Sequence, residues 1–283
     1  MRKIDLGIFT PEVKADSVAD LFRRIAEFGF TQVQFDFLSV ANEEMPESIS
    51  DGLLCSIKEH AASNNIKLSV INGTFNMAHP DKAVREDGIA RFHKIAFAAK
   101  SLKCPYISLC TGTRTRDNMW VPHPDNNTQS AWNDMMRSIE AVLDIAEQHD
   151  VCLLLEPEAS NVASTPEKVR KLIKEAGSNR LKVILDCANL FQPGTAYRTN
   201  VKDIIKNGFD LLSEYIAVAH GKDIKEGDGL EFVYTGGGIV DFEFFIRELD
   251  RIGFNDGIII HGTKHEDEIP LSINHIRKLE EEI

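Results

Sequence analysis

Short apolar runs recur along the whole chain, most of them rich in β-branched residues. They cover 4–9, 33–37, 68–71, 106–110, 151–155, 181–185, 216–219 and 257–260. As a set they are near-continuously apolar rather than alternating, which suits parallel strands covered on both faces. Successive runs start about 36 residues apart on average, room enough for a crossover helix between parallel neighbours. Helical stripes fill the intervals. Val18, Leu21, Phe22, Ile25 and Phe28 recur at helical spacing, as do Phe242, Phe245, Ile246, Leu249 and Ile252. Trp132, Met135, Met136, Ile139, Leu143 and Ala146 trace a third stripe, and Val169, Leu172, Ile173 and Ala176 a fourth. Each stripe would lay one helix face on a sheet. Gly29, Gly177 and Gly253 follow three of them as stop residues, and Thr165-Pro166-Glu167 reads as a cap, a proline at the first position and an acidic first turn.

Eight strands alternating with helices predict a (β/α)8 TIM barrel, with an open doubly wound sheet as the competing architecture. No G-x-G-x-x-G follows the first run, which weakens a dinucleotide-binding open sheet. The length of 283 residues suggests two domains by simple division, but α/β barrels use such lengths as one. With no linker, low-complexity tract or shift of composition, a single domain over 1–283 is expected.

The net charge of −12 argues against nucleic acid and against an anionic membrane surface as partners. No apolar run is long enough to span a bilayer, and no secretory h-region follows Met1 to Asp5, so a cytoplasmic location is expected. The five cysteines are odd in number and lack C-x-x-C spacing, which predicts reduced thiols.

Catalytic groups of such barrels gather where strands end. The fifth run ends in Glu156-Pro157-Glu158, the sixth in Asp186-Cys187-Ala188-Asn189, the seventh in His220-Gly221-Lys222-Asp223 and the eighth in His261-Gly262-Thr263-Lys264. Any one of these polar residues could simply begin a loop. Four in a row converge on one rim. Glu156, Asp186, His220 and His261 make a four-ligand site for one divalent ion, Mn²⁺, Zn²⁺, Co²⁺ or Mg²⁺. A dication would neutralise two carboxylates that otherwise repel.

At these residues the chain resembles the sugar phosphate isomerase/epimerase family, with its xylose-isomerase-like barrel. The resemblance spans nearly the whole chain. It rests on NGTFNMAHPD (72–81), CTGTR (110–114), LLLEPEASNV (153–162), LKVILDCANLF (181–191), AHGKD (219–223) and GGGIVDF (236–242). It implies that Glu156, Asp186 and His220 match the family's metal ligands and that Glu156 is also catalytic. The family places a second Glu, ligand and acid/base together, where this chain has His261. The implied chemistry is proton transfer beside a carbonyl, through a metal-stabilised enediolate. Inversion of a centre needs groups on both faces, whereas 1,2-isomerisation or dehydration needs one base. His261 as a ligand favours the latter two. His261 outside the metal's shell would itself be the second base.

Further candidates each carry a plainer alternative. Glu158 faces the same side as Glu156 in extended chain and would bind substrate hydroxyls, or is a loop carboxylate. Lys222 likewise points inward beside His220, near a substrate oxyanion. Asp223 would orient His220 or Lys222. Asn189 stands where relatives often carry His and would contact substrate or a ligand. Asn76 and His79 belong to a substrate loop or to a capped turn. Arg114 would hold a phosphate or carboxylate, or lie on the surface. Trp120 would cover a sugar. Gly236, Gly237 and Gly238 read as a flexible approach to a helix rather than a phosphate cradle.

The leading expectation is a metal-dependent isomerase or epimerase acting on a small-molecule carbohydrate: a sugar, a sugar phosphate or a polyol ketone. A lyase of the inosose-dehydratase type on the same barrel is the alternative. An AP-endonuclease-like activity needs more rim histidines and a basic groove, and a non-enzymatic carbohydrate-binding barrel would not need the four-group cluster. A homo-oligomer remains open.

Overall fold

The computed structural model describes residues 3–282. Seven strands follow in chain order: β1 (Leu6–Phe9), β2 (Gln32–Phe35), β3 (Lys67–Asn72), β4 (Tyr106–Leu109), β5 (Cys152–Leu155), β6 (Leu181–Asp186) and β7 (Ile216–Gly221). A small antiparallel ribbon comes next, β8 (Asp223–Ile224) with β9 (Phe232–Val233), and then β10 (Ile258–Ile260). β1 to β7 and β10 are parallel and form a closed barrel. β10 closes the seam, with Ile259 opposite His220 on one side and Leu6 opposite Ile258 on the other. All eight apolar runs are barrel strands, with ends shifted by no more than two residues.

The crossovers carry α1 (Val18–Glu27), α2 (Leu38–Ala41), α3 (Asp51–Ser63), α4 (Lys82–Leu102), α5 (Gln129–His149), α6 (Pro166–Ala176), α7 (Val201–Leu212), α8 (Phe242–Arg251) and α9 (Ile269–Glu282). Their ends follow the local chemistry. Thr165 caps α6 by accepting from Lys168 N, with Pro166 in the first turn and Gly177 left-handed at the stop. Asp241 caps α8 through Phe244 N. Among the described residues no helix is long and apolar enough to cross a membrane. All five cysteines are free.

Two apolar layers hold the barrel. The outer one packs strands against helices through residues such as Phe22, Phe92, Ile139, Phe209 and Phe245. The inner one is small: Val70, Leu154, Ile184, Val218 and Ile259, one from each of five strands. Side chains alternate along a strand, so the residue two beyond each member also faces inward, one layer nearer the rim. Those residues are Asn72, Glu156, Asp186, His220 and His261. The apolar inner layer is thus the floor beneath a polar rim.

Leu154 is fully buried in that floor. Leu154→Ala should cost about 2–5 kcal/mol, the range for truncating a buried leucine. Urea unfolding followed by far-ultraviolet circular dichroism should show a lower midpoint with an unchanged native spectrum.

Candidate active site

Asp186 ends β6, and its Oδ1 accepts from Ala188 N (2.9 Å) and Asn189 N (3.2 Å), opening the short helical turn Ala188–Leu190. That turn aims Asn189 back at β5, where its Nδ2 donates to Glu156 Oε1 at 2.6 Å. On β7, His220 Nε2 lies 2.8 Å from Gln34 Oε1. An amide oxygen only accepts, so Nε2 carries the proton and Nδ1 is turned to the carboxylates. It sits 3.5 Å from both Glu156 Oε1 and Asp186 Oδ2. The ligand atoms of Glu156, Asp186 and His220 all lie within 4.8 Å of one another. Asp186 Oδ2 and His220 Nδ1 are buried without a hydrogen-bond partner. Two carboxylates and one imidazole converging on one point fit a divalent cation.

Lys222, two residues beyond His220, brings its Nζ to 3.1 Å from Asp186 Oδ2 and 4.4 Å above the centre of the Phe232 ring. Burial opposes charge on each of these groups, and their mutual attraction outweighs it. Lys222, with further help from His220, holds Asp186 well below the usual carboxylate range. Asp186, Glu156 and Glu158 raise Lys222 above its ordinary value. Burial would lower His220, but Glu156 and Asp186 push it up to about 9. Burial raises Glu158 despite Lys222 nearby, and Ser160 holds its Oε1 through N and Oγ.

Glu156, Glu158, Asn189 and Lys222 face a cavity of about 520 Å³. Its wall includes Glu156, Glu158, Asn189, Lys222, His261 and Trp120, together with Phe9, Gln34, Glu44, Asn72, Ser108, Cys110 and Phe232. Trp120 is half exposed at its mouth. His261 lies outside the group of three. Its Nδ1 is paired with Glu12 Oε1 at 2.8 Å, and its ring packs against Phe9 and His220. The structure therefore brings together three of the four expected metal ligands.

Three residues expected to touch substrate are built into the loop scaffold instead. Buried Arg114 reaches Ala78 O (3.1 Å), Ser130 Oγ (3.0 Å) and Asp134 Oδ2 (2.7 Å). Asp134 also draws in Arg85 and Arg137, so this guanidinium neutralises a protein carboxylate. His79 accepts from Asp81 N and bonds Arg116 O. Asn76 braces the loop after β4 through Thr113 N and Thr115 O. Asp223 does not orient His220 or Lys222. It accepts from four backbone N–H groups, those of Ile224, Gly236, Gly238 and Val240, which explains the glycine run without a ligand.

Gln34, Glu12, Ser108 and Asp36 were missed from the sequence, whereas Asn72 belongs with Asn76 and His79 to the loop candidates read after the third run. Gln34 Nε2 reaches Ser108 Oγ (3.4 Å), Ser108 donates to Asn72 Oδ1 (3.2 Å), and Asn72 Nδ2 donates to Asp36 Oδ2 (2.7 Å). A signal existed for two of them, since Gln34 and Asp36 interrupt an apolar run at period two. Glu12, at the end of the short 3-10 turn Thr10–Glu12, offered none.

The family model described as a xylose isomerase-like TIM barrel matches residues 22–279, and the chain belongs to that family. No curated protein sequence matches it. Among solved structures it is similar to the 3-keto-D-glucoside 4-epimerase YcjR from E. coli, with 16% identity, a TM-score of 0.73, and 98% of this chain and 99% of that one covered. It is also similar to the probable 3-DHS dehydratase AsbF of petrobactin synthesis in Bacillus anthracis, with 16% identity, a TM-score of 0.71 and coverage of 97% and 99%. A third likeness is to the IOLI protein with a binding zinc atom, with 16% identity, a TM-score of 0.72 and 98% of both chains covered. At such identities these are likenesses of fold.

Burial pushes the Asp36 carboxyl up to about 7, against hydrogen bonds from Leu38 N and Asn72. The unfolded group titrates near ~3.9. The folded chain therefore holds the additional proton between these values. Its stabilising contribution is complete below about pH 4 and is lost as pH rises through 7. Asp36→Asn removes this dependence. The variant's stability relative to wild type, from urea midpoints at several pH values, should rise between pH 4 and 7 and level off above.

Proposed function

We propose that the chain is a divalent-metal-dependent isomerase or epimerase of a sugar or related polyol ketone, with Glu156, Asp186 and His220 holding the cation. The observation that carries the reading is the convergence of ligand atoms from Glu156, Asp186 and His220 within 4.8 Å of one another, with His220 Nδ1 buried and without a hydrogen-bond partner, beside the cavity that Glu156 lines. The family match and the resemblance at the strand ends support it.

When bound, the cation supplies a Lewis acid that polarises a substrate carbonyl. The chain's own residues do the rest. Gln34 fixes the His220 tautomer, and Asn189 fixes Glu156. Glu156, on the cavity wall, is the base that takes a proton from the carbon beside the carbonyl. Lys222, held protonated by Asp186, donates to the developing oxyanion. Glu158 and Asn189 bind hydroxyls, and Trp120 and Phe232 offer ring faces to the sugar's C–H groups and exclude water. His261, held by Glu12, leaves the ligand set at three, so inversion with His261 on the second face remains within reach of this geometry.

A dehydratase of a cyclic keto-polyol is the second reading, because it needs the same single base beside a carbonyl. Metal analysis of purified protein joined to a mass-resolved screen of ketoses and inososes separates the two. An isomerase or epimerase conserves substrate mass, whereas a dehydratase product lacks one water. A metal-free protein that binds no divalent ion in titration would defeat both.

Glu156→Gln should lower turnover by about 10³-fold or more, since a base and a ligand charge are lost together. Gln34→Leu should lower divalent-metal affinity by about 10–100-fold, the usual cost of removing a ligand's supporting hydrogen bond. Competition with a chromogenic chelator measures the second effect without any substrate.

A further inference from the structure

Two turns at the rim gather backbone N–H groups around a point, and in each the point is filled by a carboxylate of this chain. After β10, Gly262 N (2.6 Å), Thr263 N (3.2 Å) and Thr263 Oγ1 all donate to Glu12, and His261 Nδ1 pairs with the same carboxylate at 2.8 Å. Gly262 has φ +88°, and a Cβ there would stand 2.6 Å from Lys222 Cγ. After β9, Gly236, Gly238 and Val240 donate to Asp223 at 3.1, 2.8 and 2.9 Å. A Cβ on Gly238 would meet Ile224 O at 2.2 Å.

Converging backbone N–H groups make an anion-binding concavity. In (β/α)8 barrels the loops after the seventh and eighth strands are frequent phosphate sites. Here both concavities are filled from within. Glu12 is the plug that borders the catalytic cavity. It lines an adjoining pocket of about 450 Å³ that shares Phe9, Lys222, Phe232 and His261 with the cavity. A phosphate arriving there would find its donors taken and a buried negative charge in its place. The cavity wall adds Glu44, Glu156 and Glu158 against the ammonium of Lys222, while Lys14 and Lys264 line the adjoining pocket with Glu12 and Glu266, so removing Glu12 would leave backbone donors beside lysines.

We infer that Glu12 is a specificity residue: it occupies a latent anion site beside the cavity, so the enzyme takes an uncharged polyol ketone and refuses its phosphate ester. The inference rests on the sugar-converting reading above, and its test does not. Equilibrium dialysis with inorganic phosphate compares wild type, Glu12→Gln and Glu12→Ala. Wild type should show no saturable binding. Glu12→Ala should bind phosphate with Kd near ~1 mM, at least tenfold tighter than wild type, with amide shifts at Gly262 and Thr263. Glu12→Gln keeps one oxygen for Gly262 N, loses the charge and should fall between.

A folded Glu12→Ala without gained phosphate binding overturns the inference. So does saturable phosphate binding by wild type that shifts those two amides, a comparison that stands even where the variants fail to fold. A panel of ketoses and their phosphate esters adds a second arm. Turnover of an ester with kcat/KM equal to or above that of the free sugar also overturns it, and preference for the free sugar upholds it. Turnover of neither condemns the sugar reading alone, and the phosphate dialysis still decides the role of Glu12.

Discussion

Glu156, Asp186, His220 and Lys222 are buried together on three neighbouring strands, and a lone charge in any of those positions would be intolerable. Asp186, His220 and Lys222 are kept ionised by one another, with Glu156 beside them, against the cost of burial. The surroundings follow from that constraint. The residues beside the cluster must orient it without adding net charge, and amides meet the requirement: Gln34 on His220, Asn189 on Glu156, Asn72 further along.

The rigidity of this rim comes from the loops outside it. Asn76, Thr113 and Asn126 lock the loop after β4 to its neighbours, and Asn161 fastens the next loop to Gly112 N. Arg114 and Arg85 converge on Asp134 beneath. Polar side chains at strand ends therefore divide into two trades. Those on inward positions meet the cavity, and those in the loops hold the walls.

That division explains what the sequence could and could not reveal. The barrel was legible because burial on both faces leaves continuous apolar runs, and all eight runs are strands. Glu156, Asp186 and His220 were legible because strand parity and the family's motifs both point to the inward rim. Arg114 and His79 resemble ligand-binding residues in type and position, and only the partners across the loops distinguish a brace from a binder. Gln34 and His220 stand 186 residues apart, and Glu12 and His261 stand 249 apart, so neither pairing leaves a local trace. The resemblance sets a carboxylate where His261 stands, and the carboxylate that meets His261 comes from the far end of the chain. No pattern within one strand could have announced that.

The seam between β1 and β10 bears on how the molecule is made. Leu6 pairs with Ile258, and the loop after β1 clasps the loop after β10 through Glu12. A nascent chain emerging from the ribosome can assemble successive strand–helix units, but its first strand keeps an open edge until the last arrives. Closing such a long loop is the slow kind of contact, and an open edge invites pairing with other chains meanwhile. The period of greatest exposure to aggregation thus falls late in synthesis, and chaperone dependence should concentrate there.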